Sequence, residues 1–133
     1  MKLKFFTVVL TVGLMSQSAA FGQDFVQSGT APTLPQREGK EIYNAICSGC
    51  HMPDGVGAVG AAAYPPLAKS DFVGSKEATA QWVIKGYKAM PPLGDVMDDE
   101  QIAAVVNYVR TNLGNAYDDE ELTAAEVADI RTW

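Results

Sequence analysis

Clusters of basic residues are missing from this chain of 133 residues. Its ten lysines and arginines are scattered and are outnumbered by 16 aspartates and glutamates, which gives a formal net charge of −6. Nucleic acids and anionic membranes bind through basic clusters, so both are disfavoured as partners. The composition, 47% hydrophobic and 20% charged, is ordinary for a globular protein and argues against disorder and against a multi-domain enzyme.

No apolar run is long enough to span a bilayer. The longest, Phe5–Met15, falls short of the roughly 20 apolar residues that a membrane-spanning helix needs. It follows two lysines and precedes small residues, which is the pattern of a secretory signal peptide. Cleavage fits after Ala20 or after Gly22, so we expect residues 1–22 to be removed and the mature protein to be periplasmic. The mature chain then has 8 basic against 16 acidic residues, a formal charge of −8.

The two cysteines and the single histidine stand together, as Cys47-Ser48-Gly49-Cys50-His51. A disulfide between Cys47 and Cys50 would close too small a loop to constrain the unfolded chain, so it would be useful only as a redox-active dithiol. A structural zinc ion needs four ligands, and these residues supply only three. Covalent haem attachment fits best, because both sulfurs can reach vinyl groups while the imidazole of His51 binds the iron. We therefore expect one haem c.

A haem iron bound by His51 has a sixth position, for which the sequence offers two methionines. Met90 precedes two prolines, which exclude regular helix and predict an ordered loop. Met97 stands directly before Asp98, where an apolar residue packs as a hydrophobic staple at a helix start. The sequence therefore favours Met90 as the distal ligand, although a core-filling role is open to both methionines.

Helical periodicity without strand alternation predicts an all-α fold. Helices are predicted over 37–47, 76–85 and 99–113, with a short extra helix starting at Thr123 and capping boxes at Asp98 and Thr123. Three glycines between positions 53 and 63 predict a loop. We interpret residues 23–36 as an extended leader, 37–114 as the main domain and 115–133 as an acidic linker with a C-terminal helix.

Between Gly39 and Arg110 the chain resembles a class I c-type cytochrome. The features that carry the resemblance are Gly39 and Tyr43 on the first helix, Tyr108 on the last core helix, the motif at Cys47, Cys50 and His51, and Met90 followed by Pro91. The resemblance implies a cytochrome c fold wrapped around one haem. It also implies that the carbonyl of Pro65, or else Pro66, accepts a hydrogen bond from His51 and fixes its tautomer.

The resemblance is in particular to small periplasmic cytochromes that act as electron acceptors or subunits of bacterial dehydrogenases. It implies a single-electron carrier and not an enzyme, taking electrons from a periplasmic dehydrogenase and passing them to a downstream cytochrome or oxidase of the respiratory chain. The alternatives are a fixed haem subunit inside a dehydrogenase complex and a haem enzyme or gas sensor with an open iron site. For the last, the sequence offers no second histidine to activate a substrate.

Two groups of residues have both a functional and a purely structural interpretation. The acidic run Asp118–Glu121 and the apolar residues Val127, Ile130 and Trp133 predict a docking surface for the dehydrogenase, or else a tail packed on its own core. Candidates for the wall of the haem pocket, each of which could equally be ordinary core, are Tyr64, Leu67, Phe72, Trp82, Tyr87, Leu93 and Val106.

Overall fold

The computed structural model describes residues 34–60 and 63–133. The predicted signal peptide, residues 1–22, and the predicted leader up to residue 33 lie outside the described residues. Within the described part the chain forms helices joined by loops, with isolated β-bridges and no strand, so the predicted all-α class is confirmed. No helix in this part is long and apolar enough to cross a membrane.

The first helix, α1, contains the whole cysteine and histidine motif. It starts as an α-helix over Gly39–Ile42, widens to a π-helix over Tyr43–Cys47 and continues as an α-helix over Ser48–His51. The predicted range of 37–47 was therefore wrong at both ends. The backbone before Gly39 is extended, which delays the start, and the first residue with a positive φ comes only after His51, which delays the end.

Helix α2 spans Lys76–Lys85, α3 spans Asp99–Thr111 and α4 spans Ala124–Arg131. The side chain of Ser75 caps α2, and the predicted capping boxes at Asp98 and Thr123 are complete before α3 and α4. Helix α3 ends two residues earlier than predicted because Asn112 is already extended, and Leu113 and Gly114 after it have a positive φ, which a right-handed helix does not allow.

Helices α1 and α3 cross at very short range. A Cβ on Gly39 would lie 2.2 Å from the carbonyl oxygen of Ala104 and 2.7 Å from Cβ of Tyr108, so only glycine fits there. One turn further along α1, the ring of Tyr43 packs on the ring of Tyr108 with centroids 5.6 Å apart. This is the packing of Gly39 and Tyr43 across the last core helix that the family resemblance implied.

The C-terminal helix α4 is part of the core. Val127 and Ile130 are 0% and 1% exposed, and α4 packs against both α2 and α3. The prediction of a docking face was therefore wrong for these two residues, because their aliphatic side chains gain more from burial against α2 and α3 than a solvent-exposed face would allow. Trp133, the third member of that set, is exposed.

The described end of the predicted leader also packs on the core. The side-chain amide of Gln101, itself fully buried in α3, donates to the carbonyl oxygens of Leu34 at 2.6 Å and Gln36 at 2.7 Å. The backbone N–H of Leu34 donates to the carbonyl of Val96 at 3.3 Å. Residues 34–36 form no helix or strand, and a buried polar side chain fastens them to α3.

The acidic run Asp118–Glu121 is held by two buried cations of the same chain. The Nζ of Lys76 lies 3.1 Å from the carboxylate of Glu120 and 2.8 Å from that of Glu126. Arg110, 2% exposed, bonds the carboxylate of Asp119 at 3.1 Å and the carbonyl of Glu120 at 2.7 Å. Much of the charge in this run is therefore used to hold α4 and the linker against the core.

This ion cluster predicts a loss of stability in acid. The hydrogen bond from Lys76, followed by those from Thr123, lowers the pKa of Glu126 to about 2. Because this folded-state pKa lies below that of the unfolded chain, the contribution of Glu126 is complete above about pH 5 and is lost as the pH falls toward 2. We expect Glu126→Gln to lower Tm at neutral pH, and the difference from wild type to shrink as the pH is lowered, in thermal unfolding followed by circular dichroism.

Glu121→Gln is the matched control, because in the described part of the chain the Glu121 carboxylate forms no ion pair. It should leave Tm nearly unchanged at every pH. A difference between Glu126→Gln and wild type that stays constant from neutral to acidic pH would contradict the role given to the carboxylate.

Candidate functional site

Cys47, Cys50 and His51 lie along the end of α1, and all three are half-buried. Both cysteines are free thiols. Burial raises the pKa of the Cys47 thiol to about 11, so this sulfur is protonated at neutral pH. Dithiols that work by redox exchange depend on a lowered thiol pKa, so this alternative reading of the motif is disfavoured.

The imidazole of His51 is oriented by one backbone carbonyl. Its Nδ1 lies 2.9 Å from the carbonyl oxygen of Pro65, which has only lone pairs to offer, so the Nδ1–H donates to it. The lone pair of Nε2 is therefore available to a metal ion. The contact involves Pro65, and not Pro66, which was the other possibility at this position.

The loop after His51 brings Pro65 back to it. The N–H of Gly57 donates to the carbonyl of His51 at 3.0 Å, and Ala58 and Tyr64 exchange backbone hydrogen bonds of 3.2 and 2.8 Å across the loop. Gly57 has φ 75°, and a Cβ there would lie 2.2 Å from the carbonyl oxygen of Tyr64. The two arms of the loop can approach this closely only with glycine, which explains its place in the sequence.

Asn115, which lies just outside the predicted main domain, supports the same loop. It is 8% exposed, and its side-chain amide donates to the carbonyl oxygens of Leu67 at 2.7 Å and Val109 at 2.8 Å. Its carbonyl oxygen accepts from the N–H of Ser70 at 2.9 Å. The chain that follows Pro65 is thereby fastened to the end of α3. Gly114-Asn115 is typical of a turn, and nothing in that pattern indicates partners so distant in sequence.

Met90 lies half-buried in a loop that is ordered by backbone hydrogen bonds as well as by its prolines. Tyr87 and Met90 exchange hydrogen bonds of 3.1 and 2.9 Å, and Leu93 donates to the carbonyl of Val83 in α2 at 2.9 Å. Gly86 opens the loop with φ 77°, and a Cβ there would lie 2.7 Å from the Met90 carbonyl. An ordered loop is what the sequence predicted here.

Met97 is different, because it is 3% exposed and belongs to the hydrophobic core. Its side chain packs among buried aliphatic residues of the helices. Because its side chain is packed in this way, Met97 cannot bind a metal ion without opening the core.

Three aromatic side chains contact one another in a row that ends at Tyr87, in the loop that contains Met90. Phe72 and Trp82 lie with ring centroids 6.5 Å apart, and Trp82 and Tyr87 with centroids 5.2 Å apart. Phe72 is 68% exposed and Tyr87 49%, while Tyr64, the neighbour of Pro65, is 38% exposed. Val106, also predicted for the pocket wall, is buried in the core. Large aromatic side chains that stay exposed next to one another mark a candidate ligand-binding surface.

This set of donors fits a covalently bound haem. Two free thiols stand three residues apart, and the histidine that follows them presents Nε2 because Nδ1 is already bonded. A thioether is available in an ordered loop, and the aromatic surface suits a flat apolar macrocycle.

The chain is similar in sequence to several cytochromes. The family model described as "Cytochrome C oxidase, cbb3-type, subunit III" matches residues 35–109, more than half of the chain. Cytochrome c6 of Microcystis aeruginosa is 42% identical over 76 residues, which cover 54% of this chain and 90% of that protein. Cytochrome c-552 of Thermus thermophilus is 33% identical over 117 residues, which cover 74% of this chain and 77% of that protein.

A further relative is named as the cytochrome c subunit of a quinone alcohol dehydrogenase, from Gluconacetobacter polyoxogenes. It is 30% identical over 122 residues, which cover 81% of this chain and 25% of that subunit. The chain thus spans about a quarter of the length of that relative.

Proposed function

The chain belongs to the class I c-type cytochrome family, and from that membership we propose that it is a periplasmic single-electron carrier with one covalently bound haem c. The observation that carries the proposal is the hydrogen bond between His51 and Pro65, which leaves Nε2 as the free nitrogen of the imidazole. His51 directly follows Cys50, and Cys47 and Cys50 are free thiols at the spacing that haem attachment requires.

Cys47 and Cys50 would attach the haem. Each thiol adds across one vinyl group, so that an S–H bond breaks, an S–C bond forms and the hydrogen goes to the other vinyl carbon. His51 would bind the iron through Nε2, with Pro65 fixing its orientation. The thioether of Met90 would be the second side-chain ligand of the iron, because the Met90 loop is ordered and Met97 is packed in the core.

The bound haem supplies an iron that changes between the ferrous and ferric states, and a thioether ligand raises its reduction potential. The chain contributes burial and orientation. Phe72, Trp82 and Tyr87 would cover the apolar macrocycle and keep water from it. If His51 and Met90 both bind the iron, no position would be left for a substrate, which is consistent with an electron carrier and not an enzyme.

A periplasmic dehydrogenase is the proposed electron donor, and a downstream cytochrome or oxidase of the respiratory chain the acceptor. The similarity to the cytochrome subunit of a quinone alcohol dehydrogenase supports the first proposal. It also favours the alternative of a fixed haem subunit that relays electrons inside such a complex. The pattern of residues 1–22 supports export, with cleavage after Ala20 or Gly22.

Covalent attachment after export is tested by the mass of the mature protein. Expressed in a bacterium with a haem-attachment system, the protein should have the mass of the chain from Phe21 or Gln23 plus one haem. The haem should stay with the protein in acid–acetone, because thioether bonds survive it. Cys47→Ala combined with Cys50→Ala should lose the haem to the organic phase. Free thiols or extractable haem in the wild type would overturn the proposal.

The proposed distal ligand is tested by comparing two methionines. Met90→Ala should abolish the charge-transfer band between sulfur and iron and lower the reduction potential. Met97→Ala is the matched control, which should keep the band and lower the free energy of unfolding by about 2–5 kcal/mol, the range for truncation of a buried methionine. The reverse pattern, measured by absorption spectroscopy and denaturant unfolding, would assign the ligand to Met97.

The proposed donor is tested by stopped-flow reduction of the ferric protein with a quinone alcohol dehydrogenase freed of its own cytochrome subunit. The rate should rise with dehydrogenase concentration. Because the mature chain is acidic, the rate should also depend on salt, since charge steering fades beyond a Debye length of about 8 Å at physiological ionic strength. Normal reduction by ascorbate together with no reduction by the dehydrogenase at any salt concentration would contradict this partner.

A further inference from the structure

The residue directly after His51 has a backbone conformation that only glycine normally adopts. Met52 has φ 65° and ψ 156°, and it ends α1. A residue with a side chain is strained in this region, and it persists there only where its surroundings hold it. This strain is located at the point where the chain leaves the helix that carries His51.

One buried side chain and two backbone groups hold Met52. The hydroxyl of Tyr43 donates to the carbonyl oxygen of Met52 at 2.7 Å, and the N–H of Gly55 donates to the same oxygen at 3.0 Å. The N–H of Met52 donates to the carbonyl of Ser48 at 3.0 Å. Tyr43 is fully buried, and its ring is fixed in turn by Tyr108.

The hydroxyl of Tyr43 is a donor throughout the physiological range. Burial, together with the nearby Cys47, Tyr108 and Asp54, raises the pKa of Tyr43 to about 12. The bond to Met52 therefore does not depend on pH under ordinary conditions.

The turn at Met52 directs the loop that returns Pro65 to His51. From Met52 the chain passes through Gly55 to Gly57, which donates to the carbonyl of His51 at 3.0 Å. The loop then closes at Pro65, 2.9 Å from Nδ1 of the imidazole. By bonding to Met52, where the loop begins, the hydroxyl of Tyr43 thus stabilises the loop geometry that brings Pro65 to His51.

We propose that Tyr43 is a positioning residue for His51, acting through the strained turn at Met52 on the hydrogen bond from the imidazole to Pro65. The proposal rests on the proposed function, in which His51 binds the haem iron. Without the hydroxyl, the Met52 carbonyl keeps one donor, and its backbone can relax toward an ordinary conformation. The Pro65 carbonyl then moves from Nδ1, the imidazole becomes less basic, and the ferric state is less favoured.

The test compares Tyr43→Phe with Tyr108→Phe in the haem-loaded protein. Both variants keep the packed rings, and the Tyr108 hydroxyl forms no hydrogen bond within the described residues, so it is the matched control. Tyr43→Phe should speed hydrogen exchange at Nδ1 of His51 several-fold, measured by NMR on the ferrous protein, and should raise the reduction potential. Tyr108→Phe should change neither.

Met52→Gly tests the route, because glycine adopts the observed backbone conformation without strain. In the Met52→Gly background, Tyr43→Phe should change the exchange rate and the potential less than it does in the wild type. Equal changes in both backgrounds would show that the effect does not pass through Met52 and would overturn the proposal.

A loss of stability in Tyr43→Phe with the potential and the exchange rate unchanged would also overturn it, since the hydroxyl would then be only structural. Neither result touches the proposed function, which fails only if the wild-type protein binds no covalent haem.

Discussion

The close crossing of α1 and α3 at Gly39 is the constraint on which the rest of the structure depends. Because the Gly39 backbone lies against the carbonyl of Ala104, the two helices approach within a distance that no side chain would permit. That approach places the ring of Tyr43 on Tyr108 and buries it completely. The position of α1, and with it the position of every residue of the cysteine and histidine motif, follows from this contact.

A series of hydrogen bonds to backbone carbonyls connects this crossing to the imidazole of His51. The carbonyl of Met52 accepts from Tyr43 and Gly55, that of His51 accepts from Gly57, and that of Pro65 accepts from the imidazole itself. Asn115 fastens the following segment to α3. Each of these oxygens has a fixed partner, and together these hydrogen bonds orient the imidazole of His51.

In the C-terminal region, ion pairs hold the chain in place as hydrogen bonds to carbonyls do around His51. Burying Lys76 and Arg110 would be costly without partners, which are Glu120 and Asp119 in the acidic linker and Glu126 in α4. The pairing closes the linker over the core and places α4 against α2 and α3. Two of the four carboxylates in an acidic run that reads as a docking patch in the sequence are therefore used within the protein's own framework.

The sequence alone determined the features that depend on neighbours along the chain. The capping boxes at Asp98 and Thr123 mark the helix starts because cap and backbone donor are three residues apart. The spacing of Cys47, Cys50 and His51 indicates haem because these three residues are also close neighbours along the chain. Gly86 with the two prolines predicts an ordered loop. Tertiary structure alone decided the burial of Val127 and Ile130, the pairing of Lys76 with Glu126, the choice of Pro65 and the contact of Tyr43 with Met52. Most of these contacts join segments brought together only by helix packing, and even Tyr43 and Met52 meet only because the chain turns sharply after His51, which no local periodicity encodes.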